Sequence, residues 1–142
     1  MRHVNWVRLS IIVLLPAVLG LGNVVLNPNR PAWSEGALLE GELSLSGALS
    51  GTEKVLWIDA RSAAEFASAK IPGAILLNED QWGDLLPDFL SAWQPSMRVV
   101  VYCSSKKCHS SNEVAKRLRS EVGIVNVFVL KGGWEEWLTR KE

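Results

Sequence analysis

The chain has 142 residues, of which 48% are hydrophobic and 21% are charged, and this length suits one domain with its own core. The composition argues against a disordered or collagen-like chain, and the formal net charge of zero argues against a basic surface for nucleic acid. Two cysteines in one short stretch and two histidines are too few for a cysteine-rich zinc site, so we expect neither a metal nor a cofactor.

The charge is unevenly distributed along the chain. Residues 1–30 carry three arginines and no acid, whereas residues 31–142 carry 12 basic and 15 acidic residues, a net charge of −3. The stretch 7–26 contains only Arg8 as a charged residue, and its length of about 20 residues is enough to cross a bilayer core of about 30 Å. Because Arg2 and Arg8 precede the apolar run, we expect the N-terminus in the cytoplasm and the rest of the chain exported.

A cleaved signal peptide is the alternative for the same leader, which begins with the short basic stretch that such peptides have. We favour an uncleaved anchor because no clear small-residue cleavage site follows and the apolar run continues past the weak candidates. The predicted organisation is a cytoplasmic stub and transmembrane helix over residues 1–30, a linker over residues 31–42 and a domain over residues 43–142. Both interpretations place the domain outside the cytoplasm, in the periplasm or beyond.

From Lys54 onward the hydrophobic pattern alternates between strands and helices, after a possible short edge strand at 42–45 and a helical turn at 46–49. The strands are predicted at 55–58, 74–77, 98–102 and 127–130. Four helices are predicted. The first starts at the capping box Ser62–Glu65, and the second spans 79–93 and contains Pro87. The third starts at a second capping box, Ser110–Glu113, and the fourth spans 134–141. This alternation predicts an α/β fold with a mainly parallel sheet covered on both faces.

The candidate nucleophile is Cys103, which directly follows the strongest strand pattern, Arg98–Tyr102. It therefore lies at the carboxyl end of a strand, where open α/β sheets bind their ligands. Backbone N–H groups and the dipole of the following helix would stabilise a thiolate and an anion beside it. The pattern indicates thiolate chemistry on an anionic sulfur or phosphorus compound, with a buried structural cysteine as the alternative. The loop after the cysteine consists of Ser104, Ser105, Lys106, Lys107, Cys108 and His109.

Four segments of the chain together resemble one known family. They are Asp59-Ala60-Arg61 with Glu65-Phe66, Ile71-Pro72-Gly73-Ala74, Val100-Val101-Tyr102-Cys103, and Leu130-Lys131-Gly132-Gly133-Trp134 with Trp137. In this order and spacing they resemble the rhodanese-homology domain of the single-domain sulfurtransferase type, over roughly residues 43–137. The resemblance implies a rhodanese-like three-layer domain, with Cys103 as the nucleophile that carries sulfur as a persulfide and residues 104–109 as the cradle around that sulfur.

The other motif residues are expected to be structural. We expect the glycines to adopt positive φ angles or to allow a close backbone approach. We expect the aspartate and the arginine to form buried polar contacts. The tryptophans should pack in the core rather than bind a cofactor. These residues are Asp59, Arg61, Pro72, Gly73, Gly132, Gly133 and Trp134.

The loop after Cys103 departs from the family pattern of a cysteine, four residues, an arginine and a helix-starting serine. Counting from Cys103, Cys108 takes the position of the arginine. When the helix that follows is aligned instead, Ser111 matches the helix-starting serine. The loop is then about two residues longer than in the short family pattern. Lysines supply positive charge, but they lack the two parallel N–H donors with which an arginine binds an oxyanion. The loop therefore predicts weak thiosulfate:cyanide activity.

Three classes of function fit the sequence. The first is a sulfurtransferase, and the second is a thiol–disulfide protein in which Cys103 attacks and Cys108 resolves. The third is a non-catalytic rhodanese-like binding module, and a phosphatase is a weaker fourth because the anion-binding arginine is missing. The expected partners are a small sulfur-containing anion or persulfide donor and the membrane through residues 7–26, without nucleic acid. The sequence does not identify the sulfur acceptor.

Overall fold

The computed structural model describes residues 38–105 and 109–140. The predicted transmembrane helix and most of the predicted linker therefore lie outside the described residues, as do Lys106, Lys107 and Cys108. Within the described ranges, no helix is both long enough and apolar enough to cross a membrane.

Five strands alternate with five helices in the described residues. The strands are β1 (Glu42–Leu43), β2 (Val55–Asp59), β3 (Ile75–Leu76), β4 (Arg98–Tyr102) and β5 (Val127–Leu130). The helices are α1 (Leu45–Ser50), α2 (Ala63–Ser68), α3 (Trp82–Ala92), α4 (Ser110–Ser120) and α5 (Gly133–Thr139).

The strands form one parallel sheet in the order β1-β5-β4-β2-β3, with β4 at its centre. β2 pairs with β4 along its full length, from Val55 beside Arg98 to Asp59 beside Tyr102. The chain moves outward from β2 to β3 and then crosses back to β4, so the direction of winding reverses between β2 and β4. In open α/β sheets, ligands bind in the crevice at the carboxyl ends of the strands at such a reversal.

The core lies in two clusters, one on each face of the sheet. Successive side chains of β4 point to opposite faces, so Val99 and Val101 join one cluster while Val100 and Tyr102 join the other. α3 and α4 cover the first face, with Phe89, Val114 and Leu118 among the buried residues. α1 and α5 cover the second face, through Leu45, Ala48, Trp134 and Trp137. This confirms the predicted three-layer α/β arrangement with a parallel sheet.

Several predicted elements are found as expected. β4 and β5 have the predicted bounds, and a short edge strand precedes α1. The first capping box is also present, because Ser62 Oγ accepts a hydrogen bond from Glu65 N and Glu65 Oε2 accepts one from Ser62 N.

Three local predictions are wrong. β3 has two residues, Ile75–Leu76, rather than the four predicted at 74–77. It is half-buried because it lies at the sheet edge with β2 as its neighbour. α3 starts at Trp82 rather than at residue 79, since Asn78 Oδ1 accepts a hydrogen bond from Gln81 N and holds a turn before the helix. The second capping box does not form, because His109 is the N-cap of α4 without a side-chain cap and Ser110 is already helical.

Candidate functional site

A buried ion pair lies at the carboxyl end of β2, beside the end of β4. Asp59 is fully buried and Arg61 is almost so, and the guanidinium Nη2 lies 2.6 Å from Asp59 Oδ2. Arg61 also donates to Asp59 from its backbone N and from Nε, and Nη2 donates to the carbonyl of Ala69 at the end of α2. The hydrogen bond to Asp59 is the main reason that the pKa of Arg61 lies above its ordinary value. Asp59 and Arg61 thus form a buried polar contact at this edge of the sheet.

Tyr102 joins this ion pair to the central strand. Its hydroxyl donates to Asp59 Oδ2 over 2.7 Å and accepts a hydrogen bond from the backbone N of Ile71 over 3.2 Å. Ile71 begins a β-turn in which Pro72 precedes Gly73, whose φ is 79°, as a type II turn requires. Burial, followed by the hydrogen bond to Asp59, raises the pKa of Tyr102 above its ordinary value.

Trp134 links the ion pair to the candidate nucleophile. The Arg61 guanidinium carbon lies 4.6 Å from the centre of the Trp134 ring, and that ring stacks on Tyr102 with centroids 6.3 Å apart. The backbone N of Trp134 donates to the carbonyl oxygen of Cys103 over 2.7 Å. The residue that packs on the ion pair is thus also the residue that fixes the backbone of Cys103.

Gly133 allows this close approach of α5 to Cys103. Its φ is 59°, which L side chains rarely adopt, and a Cβ at this position would overlap the carbonyl oxygen of Cys103. Gly132, with φ 83°, is the N-cap of α5 and sets the turn from β5 into the helix. Both glycines therefore have a positive φ, and Gly133 also makes the close backbone contact with Cys103.

The Cys103 side chain is buried, with 2% of the residue exposed, at the carboxyl end of the central strand. Its Sγ accepts a hydrogen bond from Ser111 Oγ over 3.3 Å and donates to the carbonyl of Ser105 over 3.5 Å. Ser111 is itself buried in the first turn of α4. A hydroxyl that donates to sulfur stabilises the thiolate form, and the N-terminus of the eleven-residue helix α4 adds positive potential.

The structure brings only part of the predicted cradle to the cysteine. Ser105 contacts Sγ through its carbonyl, and Ser104 Oγ donates to Glu65 Oε1 over 2.9 Å. His109 is largely exposed, and its Nε2 lies 3.1 Å from Glu113 Oε1 on α4. Lys106, Lys107 and Cys108 lie outside the described residues, so their part in a cradle stays a prediction.

An open cleft of about 230 Å³ lies next to this loop. Residues after β2, after β3 and after β4 line it, and they include Arg61, Glu65, Asn78 and Ser104. Asn78 is buried and donates to the carbonyl of Arg61 over 3.2 Å, which connects the segment after β3 to the segment after β2. The cleft therefore lies at the point where the sheet reverses its winding, and it is lined by Ser104, the residue that follows the buried Cys103. Among the described residues, no group of three His, Cys, Asp or Glu side chains is arranged to hold a metal ion.

This combination defines a class of α/β domain with a buried cysteine at the carboxyl end of its central strand. The model of the rhodanese-like domain family matches residues 45–140, more than half of the chain. The chain therefore belongs to the rhodanese-like domain family, as the sequence motifs predicted.

Solved structures agree with this fold assignment. A protein from Bacillus halodurans superposes with a TM-score of 0.56 at 24% identity, over 70% of this chain and 72% of that one. A rhodanese-related protein from Thermoplasma volcanium gives 0.53 at 16% identity, over 70% and 91% of the two chains. A protein from Lactobacillus plantarum gives 0.53 at 20% identity, over 72% and 85%. No curated protein sequence matches the chain significantly.

Sequence reasoning missed two features of this site. The pattern assigns Tyr102 only to a strand, although a tyrosine at the end of an apolar strand needs a partner for its hydroxyl. The pattern also explains Glu65 fully by the capping box, and so it gives no sign of the bond between Glu65 and Ser104. That hydrogen bond depends on the distance between α2 and the loop after β4, which a local sequence pattern does not predict.

Gly133→Ala is predicted to destabilise the domain by about 3 kcal/mol or more, because the positive φ and the overlap with the Cys103 carbonyl add together. Gly83→Ala is the matched control, because Gly83 lies in α3 and a Cβ added there would meet open space. That substitution is predicted to stabilise the domain by about 0.5–1 kcal/mol. Urea unfolding measures both values, and equal effects of the two substitutions would contradict the close contact.

The stability of the domain is predicted to fall as the pH rises above 10, the ordinary pKa of tyrosine. Above that pH the unfolded chain loses the Tyr102 proton while the folded chain keeps it, so the folded state binds more protons and loses stability. Tyr102 is the single tyrosine of the chain, so tyrosinate absorbance reports on it alone. We expect tyrosinate to form only as the domain unfolds, and Tyr102→Phe to weaken the alkaline loss. Tyrosinate formation near pH 10 with unchanged circular dichroism would be the opposite result.

Proposed function

We propose that this protein is a sulfurtransferase in which Cys103 carries sulfane sulfur as a persulfide. The observation that carries the proposal is the hydrogen bond from Ser111 Oγ to Cys103 Sγ at the end of the central strand. A donor aimed at this sulfur favours the thiolate that attacks, and it favours Sγ again as the thiolate leaving group when the persulfide is consumed. Membership of the rhodanese-like family supports this assignment.

The reaction has two steps. In each step the transferred sulfur forms one new bond and loses one existing bond. In the first step the Cys103 thiolate attacks the sulfane sulfur of the donor, and a new sulfur–sulfur bond forms. The bond between that sulfur and the rest of the donor breaks, and its electron pair leaves with the donor remnant. In the second step a nucleophilic acceptor attacks the outer sulfur of the persulfide, and the electron pair returns to Cys103 as thiolate. The cycle therefore balances without an added oxidant or reductant.

The donor we propose is a small sulfur-containing anion or an organic persulfide. A site that binds thiosulfate tightly gains from an arginine fork, and this loop has lysines and Cys108 at the corresponding positions. We therefore expect an organic persulfide to be used more efficiently than thiosulfate.

Cys103→Ser is predicted to lower sulfur transfer at least about 1,000-fold, because the nucleophile is lost. The fold should survive, since the side chains are nearly equal in size and the serine oxygen can still accept from Ser111. Thiocyanate formation from cyanide, with an organic persulfide or thiosulfate as donor, measures the rate, and thermal unfolding checks the fold. A folded Cys103→Ser variant that kept most of its rate would remove Cys103 from the mechanism.

The two alternatives predict different experimental results. A non-catalytic binding module would transfer no sulfur in the wild-type form. A thiol–disulfide protein would form a Cys103–Cys108 disulfide on oxidation and would couple to a reductase. The resolving role of Cys108 requires that a peroxide-treated wild type recovers with dithiothreitol while Cys108→Ser does not.

We also propose that residues 7–26 anchor the protein in a membrane, with the domain exported. The support is the charge-poor stretch of about 20 residues preceded by arginine. Alkaline phosphatase fused to the C-terminus is predicted to be active, and the fusion should stay in the membrane after a carbonate wash. An inactive fusion that is fully soluble in the cytoplasm would contradict the anchor.

A further inference from the structure

The carboxylate of Glu65 makes hydrogen bonds in two directions. Its Oε2 accepts from the backbone N of Ser62 over 3.2 Å and from Ser62 Oγ over 2.8 Å, which closes the capping box at the start of α2. Its Oε1 accepts from Ser104 Oγ over 2.9 Å. A helix cap needs only the first set of bonds. The bond to Ser104 lies outside that role.

Ser104 is the residue that follows Cys103, and α5 holds the same pair of residues through the backbone. The carbonyl of Cys103 accepts from Trp134 N over 2.7 Å, and the carbonyl of Ser104 accepts from Glu135 N over 3.3 Å. The Ser104 side chain points instead to Glu65 on α2. The Cys103–Ser104 unit is thus fixed by backbone bonds to one helix and by a side-chain bond to another.

We propose that Glu65 is a positioning residue for Cys103 and acts through Ser104. Fixing the Ser104 side chain limits rotation of the backbone that follows Cys103, and this backbone leads to the Ser105 carbonyl in contact with Sγ. The rate of a bimolecular attack depends steeply on the alignment of the nucleophile, so a small displacement of Sγ lowers kcat more than it changes donor binding. This inference rests on the proposed function, because it assigns Glu65 a part in sulfur transfer.

The hydrogen bonds of Glu65 also account for its charge state. Those from Ser62, followed by that from Ser104, lower the pKa of Glu65 below its ordinary value. The carboxylate is therefore ionised near neutral pH and accepts on both oxygens at once. An acceptor that is ionised makes a stronger hydrogen bond than a neutral one.

A double-mutant cycle on Glu65 and Ser104 tests the proposal, with sulfur transfer measured on the full chain. Ser104→Ala and Glu65→Ala are each expected to lower kcat about 3- to 10-fold while KM for the donor stays within about 2-fold, since each removes the same hydrogen bond. The double variant is expected to be no slower than the slower single variant. Glu65→Gln is expected to restore most of the rate, because its amide oxygen can accept from Ser104.

Ser62→Ala is the matched control, because it removes the cap of α2 and leaves Ser104 its acceptor. It is expected to lower the melting temperature while kcat stays within about 2-fold of wild type. Multiplicative losses in the double variant, full activity of Ser104→Ala, or an equal loss in Ser62→Ala would each overturn the positioning role.

Alkylation of Cys103 by iodoacetamide separates this inference from the proposed function. The alkylation rate needs no sulfur donor, so it reports on the exposure and alignment of Sγ even if the wild type transfers no sulfur. We expect Ser104→Ala and Glu65→Ala to change this rate by the same factor, and the double variant to match them. Absence of sulfur transfer with coupled alkylation rates would reject the function and keep the positioning role. Uncoupled alkylation rates would reject the positioning role itself.

Discussion

The Asp59 carboxylate is buried, and its need for charged and hydrogen-bonding partners organises the carboxyl edge of the sheet. A negative charge removed from water is tolerated only where opposite charge and hydrogen bonds surround it, and here Arg61 and Tyr102 supply both. Removing one partner of a buried ion pair costs about 3–5 kcal/mol, because the other charge is left without compensation. Through these partners, Asp59 joins β2 to the end of α2 and to the end of the central strand.

The position of the thiol follows from this constraint in a few steps. Arg61 lies against the ring of Trp134, and Trp134 lies in the first turn of α5, where its N–H group fixes the carbonyl of Cys103. Gly133 is required because only a residue without Cβ lets α5 approach the backbone of Cys103 so closely. Ser111 then meets Sγ from the opposite element, α4. The ion pair therefore contacts the residue that holds the Cys103 backbone, through the packing of Arg61 on Trp134.

Much of the fold could be predicted from the sequence because its signals are local. The strand Arg98–Tyr102, the capping box at Ser62 and the glycines before Trp134 each carry their pattern within a few residues. The second capping box was predicted wrongly because Ser110 lies inside the helix and His109 is the N-cap. The exact first residue of a helix depends on the loop before it. The contacts of Tyr102 with Asp59 and of Ser104 with Glu65 join residues 43 and 39 positions apart. Such pairs follow from the packing of elements, which no single segment specifies.

Mass spectrometry of the sulfur-loaded protein shows directly whether Cys103 carries the transferred sulfur. The protein is incubated with an organic persulfide, freed of excess donor, digested without reductant and analysed peptide by peptide. We expect the peptide containing Cys103 to gain the mass of one sulfur atom, with fragment ions placing the sulfur on Cys103. Dithiothreitol or cyanide should remove this sulfur. An unmodified Cys103 after loading, or sulfur found on Cys108 alone, would exclude Cys103 as the sulfur carrier.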